Sequence, residues 1–260
     1  GFVPSGGQLA ALRADAPLQF VSREHWLGVD LGPRREVLLR AGRFALPYGL
    51  RGNEHPMWVR SVTRTDGAFQ QQHGVALSRT AGSYRTEWMA VLGNYQTGPD
   101  LYRERGYAGY YEHRVRDDVA VGVSSLLTRA QGDLYQSRRR PLTRQAHGLF
   151  ARVVVAPPVV LMAQADLVAR RAQGRDAERG VVAMLQAELR VARGFRLLPA
   201  LELHQARLGH EGPNAGAWLS MLLFPYAHIE TRLDLVARSV ATPVGRQLGG
   251  TTLLSLHVYL

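Results

Sequence analysis

Residues 227 to 238 read Ala-His-Ile-Glu-Thr-Arg-Leu-Asp-Leu-Val-Ala-Arg, and their two-residue period decides the fold. Ile229, Leu233, Leu235 and Ala237 share one face with Thr231, while His228, Glu230, Arg232, Asp234 and Arg238 share the other. A helix would scatter these charges around its circumference, whereas a strand sends alternate side chains to opposite faces.

The same split recurs upstream. Leu161, Ala163, Ala165 and Leu167 oppose Gln164, Asp166 and Arg170, and Leu185, Ala187, Leu189 and Val191 oppose Gln186, Glu188 and Arg190. Leu197, Leu201 and Leu203 oppose Arg196, Glu202 and His204. A helical reading of Ala163 to Arg193 competes, because Ala, Leu, Gln, Glu and Arg are good helix formers. Gly174, Gly180, Gly194 and the strict alternation oppose it.

One apolar face and one ionic face on segments of roughly ten residues is what a tilted strand needs to cross a bilayer. The chain has 260 residues, a mean hydropathy of -0.15, and no apolar run near the roughly 20 residues of a spanning helix. A soluble sandwich or ligand-binding barrel also alternates, but it exposes the polar face. More than a dozen successive segments exceed an eight-stranded ligand barrel.

Connections alternate between short and long. Short ones fall near Gly32 to Arg35, Ala81 to Ser83, Arg116 to Asp118, Ala156 to Pro158, Ala192 to Gly194 and Phe224 to Tyr226. Long ones fall near Pro47 to Phe69, Gln96 to Arg105, Ala130 to Thr143, Arg171 to Arg179, Leu208 to Pro213 and Ala241 to Gly249. Outer-membrane barrels have short periplasmic turns and longer extracellular loops, so the alternation assigns a side to each connection. With a first strand at Gly7 to Arg13 the count is about 14, an even number with both termini in the periplasm. The expectation is an all-β, transmembrane, antiparallel up-and-down barrel forming one domain over residues 1–260.

Hairpin pairing adds a check, because opposed residues lie on one face. Centring hairpins on Pro157 and Asp117 sets Gly148 opposite Asp166 and Gly122 opposite Glu112. Centring the last on Pro225 sets Trp218 opposite Arg232 and Ser220 opposite Glu230.

The polar face is expected to line the lumen, since an arginine at mid-depth on the lipid face costs roughly 2 to 4 kcal/mol. That places Glu24, Asp30, Glu87, Glu112, Asp166, Glu188, Glu202, Glu230 and Asp234 inside. Arg40, Arg85, Arg114, Arg152, Arg170, Arg190, Arg196, Arg232, Arg238 and His204 join them. Acidic and arginine sets of equal length leave the net charge of +11 to loops and rims, at Arg51, Arg60, Arg64, Arg103, Arg105, Arg129, Arg171, Arg175 and the run Arg138, Arg139, Arg140. Of these, Arg60, Arg64 and Arg138 to Arg140 are expected to form a positive outer vestibule that concentrates anions. Pairing with lipopolysaccharide phosphates, or plain solvation, is the competing account of them. Pro47 to Phe69 is the candidate constriction loop, with a surface cap as the alternative. Trp88, Tyr84, Tyr95, Tyr107 and Tyr111 suit an interfacial girdle.

All 32 basic residues are arginine, which reads as coding bias rather than arginine-specific recognition, and no nucleic-acid partner is expected. The absence of cysteine excludes disulfides and thiolate sites. No cofactor, metal or catalytic set is expected. Glu202 and His204 share a face with His228 and Glu230, but another strand separates them. A leader-free start at Gly1 fits a mature outer-membrane chain.

Leu39 to Leu50, Leu-Arg-Ala-Gly-Arg-Phe-Ala-Leu-Pro-Tyr-Gly-Leu, resembles the GRF-x-x-P-[FY]-G segment of the porin O and P family of Gram-negative outer membranes. The last strand, Thr251 to Leu260, resembles the C-terminal assembly signal of outer-membrane proteins, with Leu260 where an aromatic is usual. The family resemblance implies an outer-membrane diffusion channel. The lysines that family uses for anions are missing, so phosphate selectivity is not implied. The expectation is passive passage of small hydrophilic solutes with a modest anion preference, alone or as a homo-oligomer. A structural barrel holding a periplasmic cytochrome or lipoprotein is the alternative.

Overall fold

The computed structural model describes residues 24–50, 57–66, 70–93, 104–131, 141–209, 212–242 and 244–258. They form a 13-stranded antiparallel sheet in which every strand pairs with its neighbours in chain order. The strands are β1 (His25–Leu31), β2 (Val37–Phe44), β3 (Gln72–Ala81), β4 (Tyr84–Gly93), β5 (Arg105–Arg116), β6 (Val119–Ala130) and β7 (Leu142–Ala156). They continue as β8 (Val159–Ala172), β9 (Glu178–Ala192), β10 (Phe195–Gln205), β11 (Asn214–Tyr226), β12 (Ile229–Thr242) and β13 (Gly245–Val258). One short helix, α1 (Trp58–Thr63), lies in the connection from β2 to β3. The strand expected at Gly7 to Arg13 lies outside the described residues.

Alternation becomes a two-sided wall. Along β12, Glu230, Arg232, Asp234 and Val236 are buried while Leu235 and Ala237 are exposed. In β9, Val182, Met184 and Gln186 are buried and Leu185 is exposed. Apolar residues exposed on one face and charged residues buried on the other is the reverse of a soluble sheet.

The sheet wraps around its polar face. Tyr110 of β5, Phe150 of β7, Val182 of β9, Trp218 of β11 and Val236 of β12 belong to one buried cluster centred on Leu50, Met57 and Val59 of the β2–β3 connection. Strands so far apart in the sheet share a cluster only when the sheet curls around that segment.

Registers agree with two of the three expected hairpins: Gly148 pairs with Asp166 and Glu112 with Gly122. The last hairpin differs. Trp218 pairs with Val236 and Ser220 with Asp234, because the register shifts between Leu223 and Tyr226 and the turn falls at Ala227 and His228. His228 takes φ 69 there, a left-handed turn conformation that the proline at 225 could not supply. The long connection expected at Ala241 to Gly249 is also corrected, since β13 begins at Gly245 and pairs with Thr242. Gly245, at φ 123, closes the turn, and the polar run after it continues as strand.

Candidate functional site

Chain direction reverses at the end of β2, and the residues that do this are those of the Leu39 to Leu50 segment. Phe44, Leu46, Tyr48 and Leu50 are buried inside the sheet. Gly49 has φ 57, and a Cβ there would stand 2.4 Å from Gln164 Nε2, so only glycine allows this approach. Residues 45–50 and 57–66 thus lie in the interior as parts of an inward loop. The expected constriction loop is therefore inward, not a surface cap.

Four sets of contacts pin it. The Tyr48 hydroxyl donates to Asp166 Oδ1 at 2.8 Å, and Gln164 accepts from the Leu50 N–H at 2.9 Å while donating to Asp166 at 2.8 Å. The Trp58 N–H, at the start of α1, donates to Glu202 Oε2 at 2.7 Å. Arg238 donates to the other oxygen of Glu202 at 2.7 Å and lies over both Trp58 and Trp218, at 4.7 and 5.1 Å from the ring centres. At the far end of α1, Arg144 donates to the Thr63 carbonyl and Arg170 to the Val62 carbonyl. These arginines serve the exposed carbonyls of a helix C-terminus.

Arg144 also pairs with Glu104 at 2.5 Å, and Arg64 pairs with Glu104 at 3.5 Å. Burial would raise the Glu104 pKa, but Arg144, Arg64 and the Thr128 hydroxyl outweigh it and hold the carboxyl below its ordinary range.

Beneath the loop, toward the short turns, the lumen wall is ionic. Glu112 accepts from Arg152 at 2.5 Å and from Arg85 Nη2 at 3.1 Å. Arg40 bonds Glu87, Arg196 meets Glu188 at 2.9 Å, and Arg232 chelates Asp234 and reaches the Ser220 hydroxyl. Side chains of Arg85, Arg152 and Arg196 remain 37 to 41% exposed, so this part of the interior is open.

Most of the expected lumen residues fall into two groups. Asp166, Glu202, His204 and Arg238 meet the inward loop, with the His204 ring 5.7 Å from Trp58. Arg40, Arg85, Glu87, Glu112, Arg152, Glu188, Arg232 and Asp234 form the ionic wall below. Glu230 pairs with His257 at 3.4 Å, so it does not converge with Glu202 and His204. Arg114 and Arg190 are exposed near the turns, and exposed Glu24 accepts from the Ala45 N–H.

Arg60 and Arg64 do not stand in an open vestibule. They are 5 and 7% exposed because the segment that carries them is drawn inside. Arg138, Arg139 and Arg140 lie outside the described residues. Sequence reasoning put Gln164 on the polar face without giving it a role, and missed Tyr48, Arg144 and Glu104. Parity alone could have found Arg144, which shares a face with Arg152.

On the outer face, Tyr107 and Trp88 lie 6.2 Å apart and Tyr84 stacks on Tyr111, the arrangement expected of a girdle. Tyr95 lies outside the described residues. Ser125 Oγ is 2.9 Å from His147 Nδ1 and 3.1 Å from the Tyr107 hydroxyl on this face. A hydrolytic set also needs a group holding the imidazole and free donors for an oxyanion. Among the described residues no hydrogen bond holds the second ring nitrogen, and the contacts mutually satisfy polar groups on an apolar surface.

No family model matches the chain, and no curated protein matches it. Solved structures do. OmpT of Vibrio cholerae superposes with a TM-score of 0.66 at 12% identity, over 90% of this chain and 77% of that one. The anion-selective porin from Comamonas acidovorans gives 0.60 at 11% identity, over 86% and 73%. The outer membrane channel DcaP of Acinetobacter baumannii gives 0.59 at 13% identity, over 86% and 73%. At these identities the likeness shows the fold, that of outer-membrane β-barrels, while the porin O and P resemblance stays confined to the Leu39 to Leu50 segment.

Proposed function

We propose that the chain is a porin-like channel of a bacterial outer membrane, passing small hydrophilic solutes through a lumen narrowed by the connection between β2 and β3. The observation that carries this reading is the inward loop itself, held by Tyr48, Trp58 and Thr63 above an ionic wall whose arginines are half-exposed. A mixed-charge wall favours hydrated solutes over apolar ones. Solved structures of like fold include an anion-selective porin and a channel, which supports the same reading.

On this reading the short turns are periplasmic and the long connections extracellular, and a modest anion preference arises from rim arginines such as Arg105, Arg129, Arg171 and Arg175, all exposed. Partners are outer-membrane lipid, lipopolysaccharide phosphates and the solutes. A sheath for a threaded cytochrome or lipoprotein is disfavoured, because the Leu50, Met57 and Val59 cluster takes up part of the interior at loop height and leaves less room for a folded partner. Single-channel recording with a salt gradient tests the reading: stable open steps with an anion-leaning reversal potential support it, and a folded, inserted barrel that passes no current overturns it.

A further inference from the structure

The outer face carries a depression that the channel reading does not use. It is a cavity of about 570 Å³ across β5 to β9, floored by Ala151, Ala163, Ala165 and Ala183 and walled by Tyr111 and Leu149. Its volume lies in the range of built ligand pockets, roughly 300 to 1,000 Å³. The surrounding outer face bears bulky residues instead, such as Leu161, Leu167 and Leu185.

Its course is oblique. His113, at one end, lies three residues before the last residue of β5, Arg116, and Ala183, at the other, nine before the last residue of β9, Ala192. At about 3.3 Å per residue and a tilt near 45°, the groove rises about 14 Å, from about 7 Å to about 21 Å above the strand ends at the short turns. One leaflet of the hydrocarbon core measures about 15 Å.

Polarity is confined to the low end. His113 Nδ1 is buried there and makes no hydrogen bond among the described residues. Tyr111 stacks on Tyr84 at 5.9 Å, and the Arg79 guanidinium lies 5.5 Å over the Tyr84 ring while reaching Glu36 at 3.7 Å. A row of cation, phenols and imidazole at the rim, leading into an apolar groove one leaflet long, matches one molecule type: ester and phosphate below, acyl chain above.

We propose that this groove is a binding site for one glycerophospholipid of the leaflet on the short-turn side. Its acyl chain lies against Ala151, Ala163, Ala165 and Ala183. His113 donates to an ester oxygen, and Arg79 with Tyr84 faces the phosphate.

The test is native mass spectrometry of the barrel purified in mild detergent, with dipalmitoyl phosphatidylglycerol as the added lipid. The expected result is a one-to-one adduct that survives detergent exchange. Ala163→Leu with Ala165→Leu lowers it at least tenfold, while Ala237→Leu, exposed on the same face of β12, leaves it unchanged. No surviving adduct, an adduct indifferent to filling the groove, or filling that instead abolishes a dimer mass would overturn the site, the last outcome naming a second copy as the occupant. A phospholipid with a photoreactive acyl chain tests the unsubstituted barrel: labels concentrated on Leu149 and Ala165 support the site, and labels spread evenly around the wall contradict it. Neither readout depends on conductance.

Discussion

Tyr48 and Asp166, 118 residues apart in sequence, are joined by a 2.8 Å hydrogen bond inside the sheet. It ties the first descent of the inward loop to the wall at β8. Tyr48→Phe removes the donor and leaves a buried carboxylate short of a partner, at a cost of about 1 to 3 kcal/mol. Channel recordings of this variant are expected to show more frequent loop-dependent fluctuation, with the barrel still migrating as folded.

Gly148 pairs with Asp166 across β7 and β8, and a Cβ at 148 would stand 1.8 Å from Asp166 Oδ1. Gly148→Ala therefore pushes the carboxylate off Tyr48. Its effect on loop fluctuation should match that of Tyr48→Phe, and the double variant should add little, since both break one contact.

Glu104 gives the loop a pH dependence. Its pKa is lower folded than unfolded, so the stability it contributes is complete above the ordinary carboxylate value near 4.5 and is lost as pH falls through the depressed folded value. Protonation removes the partner of Arg144 and Arg64 and frees the end of α1. Acid-induced change in conductance is expected, with Glu104→Gln showing the acid behaviour already at neutral pH. A Glu104→Gln channel whose pH response equals that of the unsubstituted protein would remove Glu104 from this role.

Among the described residues, Glu112 is the one carboxylate that pairs with Arg85 and Arg152. Glu112→Gln leaves two half-exposed arginines on the open wall, so the reversal potential should move toward greater anion selectivity. Arg152→Gln should move it the other way. The shifts should shrink at high salt, as the screening length falls to about 3 Å at 1 M.

Much of this architecture is legible in the sequence because a strand's period is local. Ile229 to Ala237 alternate, and the alternation alone fixes which residues face inward. Local features also misled: Pro225 looks like a turn, but the bulge after Leu223 moves the turn to Ala227 and His228. Gly245 to Gly250 reads as loop yet pairs as strand against β12. The loop's partners were not legible, because Asp166, Glu202 and Arg144 sit on strands far along the chain and no period links them to Tyr48, Trp58 and Thr63. For the same reason Arg60 and Arg64, read as rim charges, proved to be interior.

The most direct test of the central claim is single-channel recording of the purified protein beside a variant with residues 50 to 63 replaced by a short glycine–serine link. The account predicts small, stable steps for the intact chain and a several-fold larger conductance without the loop. Equal conductance in the two would contradict a constriction built from the β2–β3 connection, and silence in both would contradict the channel itself.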